Sequence, residues 1–246
     1  MRALTEGCKL AMWSGPRNIS TAMMYSFENR DDCCAIDEPF YAHFLQNTGT
    51  NHPGAKKVIE TYETDYLKIT QHLSGDIPED LPIWYQKQMC HHISPGFELD
   101  WIQNLTNCFL IRDPREVLLS LSKITHEVSL WATGLPQQIM LYEQVSKIES
   151  RPPILDSRDI LENPRKMLEM LCQELNIPFS ELMLEWEPGP RECDGIWGEY
   201  WYESVWSSTG FSPFRARTGE LNPSLESILD EAMPVYRELY SKRLRL

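Results

Sequence analysis

The sequence is short of several features that would by themselves define a class of protein. It has no run near the roughly 20 apolar residues that a membrane-spanning helix needs, and no low-complexity tract or internal repeat. Basic residues are the minority, because 23 Lys and Arg stand against 36 Asp and Glu and leave a net charge of −13. Nucleic acids and anionic membranes are polyanions, so this charge argues against both as the main partner. A few arginines are still enough to form a local pocket for a small anion.

The seven cysteines lack the spacings that indicate a disulfide framework or a zinc site. Their number is odd, no C-x-x-C motif occurs, and Cys8 and Cys108 lie within apolar runs. We therefore expect free thiols, a cytoplasmic location and no bound metal. The 246 residues are 42% hydrophobic and 24% charged, as in ordinary globular proteins. No linker divides them, so we predict a single domain over residues 1–246.

Short apolar runs alternate with longer amphipathic stretches, a pattern typical of a parallel sheet between helices. It predicts a three-layer α/β fold with strands at 8–13, 33–37, 83–90, 106–112 and 153–156. It also predicts helices at 20–30, 55–73, 114–125, 136–149, 164–175 and 224–241. Residues 185–218 are rich in Trp, Tyr, Gly and Pro without a clear period, so we expect a long ordered loop there.

The first candidate for anion binding is the loop SGPRNIST at residues 14–21, between the first strand and the first helix. A helix N-terminus presents unpaired N–H groups and about half a positive charge, so such a junction suits an anion. Arg17 adds a planar cation, and Ser20 and Thr21 add hydroxyl donors. No Lys precedes Ser20, unlike in the G-x-x-x-x-G-K-[ST] loop of nucleotide triphosphatases. The alternative is that Ser20 only caps the helix and Arg17 is solvated.

A second strand, charged turn and helix follow at residues 106–123. Arg112 is at the predicted carboxyl end of the strand, and Ser120 lies within the helix. Ligands of open α/β sheets collect beyond the carboxyl ends of the strands. Arg112 and the Arg17 loop therefore face one crevice if the first and fourth strands are neighbours. The alternative is a local salt bridge between Arg112 and Asp113.

Together these segments resemble the family of sulfotransferases that use 3′-phosphoadenosine-5′-phosphosulfate (PAPS). PRNIST at 16–21 looks like the family's 5′-phosphosulfate loop. IRDP at 111–114, followed by Ser120, looks like its 3′-phosphate site. Residues 154–178 are similar to the next strand and helix of the family, so the resemblance runs from the first strand to residue 178 in the same order.

The resemblance implies a P-loop-like nucleotide-binding fold and an enzyme that moves a sulfuryl group from PAPS to a hydroxyl or amine of a small-molecule acceptor. It implies that the product is 3′-phosphoadenosine-5′-phosphate and that side-chain cations take the place of a metal. Arg17 is expected at the bridging or leaving oxygen. The predicted donor-binding residues are Arg17, Asn18, Ile19, Ser20, Thr21, Arg112, Ser120 and Arg217, with Thr209 and Phe211 at the adenine.

The chain departs from the family's usual pattern in three places. Arg17 and Ile19 stand where cytosolic members usually have Lys and Gly. The usual catalytic His, two residues after a strand Lys, is replaced by Met89 after Lys87. The C-terminal glycine-rich motif is only echoed in RARTG at 215–219.

Glu38 is the leading candidate for the base that takes the proton of the acceptor. It ends the predicted second strand, and some bacterial members of the family use a carboxylate at a comparable place. Burial among Phe40 and Tyr41 is expected to raise its pKa, which suits a base. The alternative is that Glu38 caps a helix or pairs with Lys87. His91, which strand alternation puts on the same face as Lys87, is the second candidate, and the predicted catalytic residues are therefore Arg17, Glu38, Lys87 and His91.

Two other functions stay open at this point. A P-loop nucleotide or small-molecule kinase is the nearest enzyme alternative, although the loop Lys is missing. A non-catalytic module that only binds a nucleotide would tolerate Met89. The aromatic residues of 185–218 suit either a cover over the acceptor and adenine or a loop packed on the core. The sequence carries no signal for the oligomeric state.

Overall fold

Five apolar segments form a parallel sheet in the computed structural model, which describes residues 7–125, 128–149 and 151–246. The strands are β1 (Cys8–Ser14), β2 (Cys33–Asp37), β3 (Ile83–Met89), β4 (Thr106–Ile111) and β5 (Ile154–Asp156). They lie in the order β2-β3-β1-β4-β5, and each neighbouring pair is parallel. The predicted α/β class and the predicted strands are confirmed, with ends that differ by one residue at most.

Helices cover both faces of the sheet because alternate strand residues point to opposite sides. The helices are α1 (Ser20–Glu28), α2 (Tyr41–Thr48), α3 (Ala55–Thr61), α4 (Tyr66–Ser74), α5 (Pro114–Leu121), α6 (Leu135–Val145), α7 (Ser157–Glu162), α8 (Pro164–Glu174), α9 (Gly198–Trp201), α10 (Glu203–Trp206) and α11 (Pro223–Lys242). Leu10 and Met12 of β1 share a core with α1 and α8, whereas Ala11 and Trp13 share one with α4, α6 and α11. The three-layer architecture is therefore confirmed.

The helices differ from the sequence prediction in several places, and α7 is among those that no predicted helix covers. The predicted helix at 55–73 is two helices, because the chain leaves helical geometry at Tyr62 and Asp65 caps α4 by accepting hydrogen bonds from Leu67 N and Lys68 N. Helix α2 was missed, since its short sequence has no strong period. The segment 185–218 is mostly irregular, as predicted, but contains α9 and α10.

All seven cysteines are free, which confirms the expectation of free thiols. Burial raises the pKa of the Cys108 thiol well above its usual range. Within the ranges given above, no helix is long and apolar enough to cross a membrane. The single domain over 1–246 stays a prediction, and its first six residues lie outside the described ranges.

Helix α11 is tied to the sheet by a buried hydrogen bond. The Tyr236 hydroxyl donates to Asp156 Oδ2 at 2.9 Å, and Asp156 also caps α7 by accepting from Arg158 N at 2.8 Å. Burial raises the pKa of Asp156 to about 6, and these two donors oppose the rise. The Tyr236 hydroxyl therefore stabilises the charged form of the Asp156 carboxylate in the folded chain.

We expect Tyr236→Phe to destabilise the protein more at neutral than at acidic pH. A hydrogen bond to a charged group contributes about 1.5–3 kcal/mol, which corresponds to a fall in Tm of roughly 3–12 °C at neutral pH. The raised pKa of about 6 means that the carboxyl is protonated as pH falls below that value, so the difference from wild type should shrink there. Thermal unfolding between neutral pH and pH 5 measures this.

Tyr240→Phe is the matched control for this experiment. Tyr240 lies on the same helix and its ring contacts that of Tyr236 at 5.3 Å. Its hydroxyl has no hydrogen-bond partner among the described residues, so its removal should leave Tm unchanged at both pH values. Equal losses in the two variants would contradict the role given to Asp156.

Candidate functional site

The strand order gathers three of the predicted site residues along one edge of the sheet. Glu38 follows β2, Arg17 follows β1, and Arg112 follows β4. Strands β1 and β4 are direct neighbours, with Met12 opposite Cys108. This is the arrangement that the sequence analysis required for Arg112 and the Arg17 loop to face one crevice. Adjacent strands are about 4.8 Å apart, which puts the ends of β2, β3, β1 and β4 along a span of roughly 15 Å.

The loop after β1 has an unusual backbone. Arg17 and Ile19 have φ values of 64° and 58°, a left-handed conformation that costs a non-glycine residue about 1–3 kcal/mol. Helix α1 begins at Ser20, and its N-cap position is Ile19, with no side-chain cap. The alternative that Ser20 caps the helix is therefore wrong. The N–H groups of Ser20 and Thr21 belong to the first turn, which lacks intrahelical acceptors.

Buried contacts hold this strained loop in place. Asn18 is 4% exposed, and its Nδ2 donates to Leu110 O at 3.0 Å. Ser157 Oγ donates to Asn18 O at 3.2 Å. A Cβ on Gly15 would lie 2.3 Å from Thr133 O, so only glycine permits this close approach. The side chain of Asn18 thus faces the interior in this structure.

Three arginines meet beside the loop. Arg17 Nε donates to Ser120 Oγ at 2.9 Å, and Arg112 Nη1 donates to Arg17 O at 2.7 Å. Arg112 Nη2 lies 3.1 Å from Glu116 Oε2. Arg217 donates its backbone N–H to Glu116 Oε1 at 2.7 Å, and its Nε lies 3.8 Å from Oε2. We call Arg17, Arg112, Arg217, Ser120 and Glu116 the arginine hollow.

The hollow holds more positive than negative charge. Burial, then the nearby Arg217 and Arg112, lower the pKa of Arg17. Burial also lowers the pKa of Arg112, although Glu116 opposes this. The three guanidinium groups thus have one carboxylate beside them, which pairs with Arg112 and Arg217, and the Nη atoms of Arg17 have no partner among the described residues. An anion that accepts from them would relieve the repulsion.

Sequence reasoning missed Glu116, although its position four residues after Arg112 is a recognisable ion-pair spacing. The alternative pairing of Arg112 with Asp113 is wrong. Asp113 instead caps α5 by accepting from Arg115 N at 2.8 Å.

A second charged group surrounds Lys87, at the end of β2 and β3. The Lys87 side chain is 1% exposed, and its Nζ lies 2.9 Å from both Asp37 Oδ1 and Glu38 Oε1. It also donates to the Tyr202 hydroxyl at 2.5 Å, and that hydroxyl donates to Asp37 Oδ2 at 2.7 Å. All three ammonium protons are thereby used. We call Asp37, Glu38, Lys87 and Tyr202 the lysine cluster.

Burial and ion pairing act against each other in the lysine cluster. Burial raises the pKa of Glu38, and Lys87 opposes the rise. For Lys87 burial alone would lower the pKa, but the carboxylates of Asp37 and Glu38 outweigh it and raise the pKa. Glu38 has a φ of 38°, a strained value for a glutamate. The expected rise in the pKa of Glu38 and its alternative pairing with Lys87 are both found. Asp37 and Tyr202 were not predicted as members of this cluster.

The aromatic segment, residues 185–218, covers the lysine cluster. Gly195 N donates to Asp37 Oδ2 at 3.1 Å, and Trp197 Nε1 donates to the Tyr202 hydroxyl at 3.2 Å. Asp194 anchors the segment to α1 by accepting from the Tyr25 hydroxyl at 2.6 Å. The segment therefore excludes water from the charges at the end of β2.

The two histidines after β3, His91 and His92, do not lie where strand alternation predicted. Strand β3 ends at Met89, and Cys90–His92 forms a 3₁₀ turn, so strand alternation does not extend to His91. His92 is the histidine beside Glu38, with Nε2 3.9 Å from Oε2. Burial, then the neighbouring His52, lower the pKa of His91 to about 3. Across the described stretches, no His, Cys, Asp and Glu side chains are grouped in threes to hold a metal ion.

The residues predicted at the adenine lie beside Trp186. Phe211 packs edge-on against Trp186 at 5.2 Å, and Thr209 O accepts from Trp186 N at 3.2 Å. Both belong to the irregular part of the aromatic segment. Their contact with a nucleotide stays a prediction.

One family model covers nearly the whole chain. The sulfotransferase domain family model matches residues 8–243. Branched-chain-amino-acid aminotransferase-like protein 2 of Arabidopsis thaliana is 33% identical over 231 residues, which cover 92% of the chain. The chain spans 40% of the length of that relative.

The solved structures match at the level of the fold. A sulfotransferase of Alicyclobacillus acidocaldarius is 10% identical with a TM-score of 0.53, over 95% of this chain and 94% of that one. The sulfotransferase domain of the Synechococcus PCC 7002 olefin synthase is 14% identical with a TM-score of 0.52, over 94% and 97%. Because the family model spans nearly all of the sequence, the chain belongs to the sulfotransferase domain family.

Proposed function

We propose that the protein transfers a sulfuryl group from PAPS to a hydroxyl or amine of a small-molecule acceptor. The observation that carries the proposal is the arginine hollow, a site with excess positive charge in a chain of net charge −13. It lies beside the first turn of α1, where free N–H groups add to the positive potential.

The donor set fits an adenosine that carries phosphates at both ends. Guanidinium forks and hydroxyls are the usual partners of phosphate oxygens. Ser120, Arg112 and Arg217 bind the 3′-phosphate. The N–H groups of the loop, with Ser20 and Thr21, bind the 5′-phosphate. Asn18 and Ile19 shape that loop, and Thr209 and Phe211 are the proposed adenine contacts.

The reaction needs charge stabilisation and a proton acceptor. The acceptor oxygen or nitrogen forms a bond to sulfur, the sulfur–oxygen bond to the 5′-phosphate breaks, and its electron pair stays on the phosphate oxygen. Arg17, with its free Nη groups, stabilises that oxygen. Fixed cations of this kind carry most of the effect in the related phosphoryl transfer.

Glu38 receives the proton that the acceptor loses. Its raised pKa brings it closer to the working pH, which favours general-base catalysis. Lys87 is fully occupied in the lysine cluster, so it positions Glu38 rather than contacting the donor. A non-catalytic nucleotide-binding module is the second candidate, because the same occupied Lys87 is followed by Met89 instead of a histidine.

The first prediction from this proposal concerns the 3′-phosphate. 3′-Phosphoadenosine-5′-phosphate should raise the Tm more than AMP or ATP at equal concentration, without Mg²⁺. Ser120→Ala removes one hydrogen bond to a charged group and should weaken bisphosphate binding about 10- to 100-fold, with AMP binding unchanged. Isothermal calorimetry measures both.

Arg165→Ala is the charge-matched control for binding. Arg165 is exposed and pairs with Glu181, away from the hollow. Its loss should not alter bisphosphate binding. Tighter binding of ATP than of the bisphosphate, with a requirement for Mg²⁺, would instead support the kinase alternative.

The second prediction concerns Glu38. Glu38→Gln keeps the shape of the side chain but removes the base, so turnover should fall about 100- to 10,000-fold while bisphosphate binding stays within about twofold. The wild-type rate should fall as pH drops through the raised pKa of Glu38, since the carboxylate must be unprotonated. The variant should lose this acid limb. Steady-state rates across pH, with radiolabelled PAPS, measure it.

An intact acid limb in Glu38→Gln would eliminate Glu38 as the base. Binding of the bisphosphate without sulfation of any hydroxyl or amine in a broad panel would favour the binding module.

A further inference from the structure

His92 is a buried histidine without a hydrogen-bond partner. Its side chain is 1% exposed, and neither Nδ1 nor Nε2 has a partner among the described residues. Buried polar groups in folded proteins nearly always have a partner, because leaving one unpaired is costly. The ring is therefore suited to bind a group that arrives with a ligand.

Stacking holds the His92 ring without using its nitrogens. Tyr41 stacks on it at 5.2 Å with 15° between the planes, and Phe44 at 4.7 Å with 26°. Both aromatic residues come from α2, the helix that follows Glu38. The position of the imidazole is thus set by packing, and its two nitrogens are buried without a hydrogen-bond partner among the described residues.

His92 lies between the proposed base and the anion loop. The strand before it, β3, is between β2, which leads to Glu38, and β1, which leads to Arg17. Nε2 lies 3.9 Å from Glu38 Oε2, which is too long for a hydrogen bond, but catalytic hydrogen bonds are often long before a substrate binds and then tighten. The titratable groups that face the ring are Glu38, Lys87, Tyr41, His43, His52 and His91.

We propose that His92 is a further catalytic residue, which passes the proton of the acceptor to Glu38. The inference rests on the proposed function and names the route by which the proton of the acceptor reaches Glu38. The neutral ring carries its proton on Nε2, facing Glu38, and presents Nδ1 to the acceptor. As the acceptor bonds to sulfur, its proton moves to Nδ1 and the Nε2 proton moves to Glu38 Oε2, so the ring stays neutral.

Burial of the ring suits this role. Burial, then the neighbouring His91 and His52, lower the pKa of His92 well below its usual range, so the imidazole is uncharged at neutral pH. A neutral imidazole has one donor and one acceptor nitrogen, which a relay of one proton requires. Glu38, whose pKa is raised, is the group that ends with the proton.

The test compares acceptors that differ in acidity. The probes are 2-naphthol, which keeps its proton in mildly alkaline buffer, and 4-nitrophenol, which largely loses it. His92→Asn should slow sulfation of 2-naphthol about 100- to 10,000-fold but that of 4-nitrophenol less than about 10-fold. His72→Asn is the control, because His72 packs against Trp84 away from the site, and it should match wild type with both.

Equal losses with both phenols would mean that His92 only supports the structure, and would overturn the proposal. An acidity-dependent loss in His91→Asn, with none in His92→Asn, would overturn it as well. Bisphosphate binding by the same variants separates these results from a failure of the proposed function. That failure would appear as no selective binding by the wild type.

A second readout does not need turnover. In ¹⁵N NMR of the imidazoles, assigned by loss of the signal in His92→Asn, the wild-type ring should be neutral with the proton on Nε2. Glu38→Gln should shift the Nε2 signal. A proton on Nδ1, or no response to Glu38→Gln, would overturn the proposal, and this result decides if neither phenol is turned over.

Discussion

A buried lysine is the constraint on which the acidic half of the site depends. Lys87 is 1% exposed, and an ammonium group in the interior must have its charge and its three protons matched. Asp37 and Glu38 supply the charge, and Tyr202 supplies the third contact. The aromatic segment, far away in sequence, is thereby drawn over the end of β2. One ion cluster thus positions the proposed base and the cover above it.

The sheet keeps two opposite charges apart on a single edge. The lysine cluster carries two carboxylates for one ammonium, while the arginine hollow carries three guanidinium groups for one carboxylate. Strand order separates them by the width of about two strands, or roughly 10 Å. In the proposed function, a donor held by its phosphates in the hollow presents its sulfuryl group toward the acidic side. The layout supplies the local positive charge that this proposal requires in a protein of net charge −13.

The sequence predicted the elements that depend on local pattern. Apolar runs identified the five strands, and charged turns identified Arg17 and Arg112, because strand ends and helix starts have local signals. It did not predict the partnership of Lys87 with Tyr202, since contacts across such a separation follow from packing. It also placed His91 on the face of Lys87, whereas His92 is the histidine that lies beside Glu38. The reason is that β3 ends at Met89, and the 3₁₀ turn beyond it has no pattern that distinguishes it from a strand.

Three of the six described non-glycine residues with positive φ lie where the site is proposed. Arg17, Ile19 and Glu38 all have positive φ, and all lie directly beyond the carboxyl ends of β1 and β2. Each such residue costs about 1–3 kcal/mol and persists only where surrounding contacts enforce it. Here the enforcing contacts are the buried amide of Asn18 and the buried ammonium of Lys87. A relaxed loop would leave the guanidinium of Arg17 and the carboxylate of Glu38 without fixed directions. The stability given up at these positions therefore keeps the two charges oriented before any ligand binds, which is the condition for electrostatic catalysis.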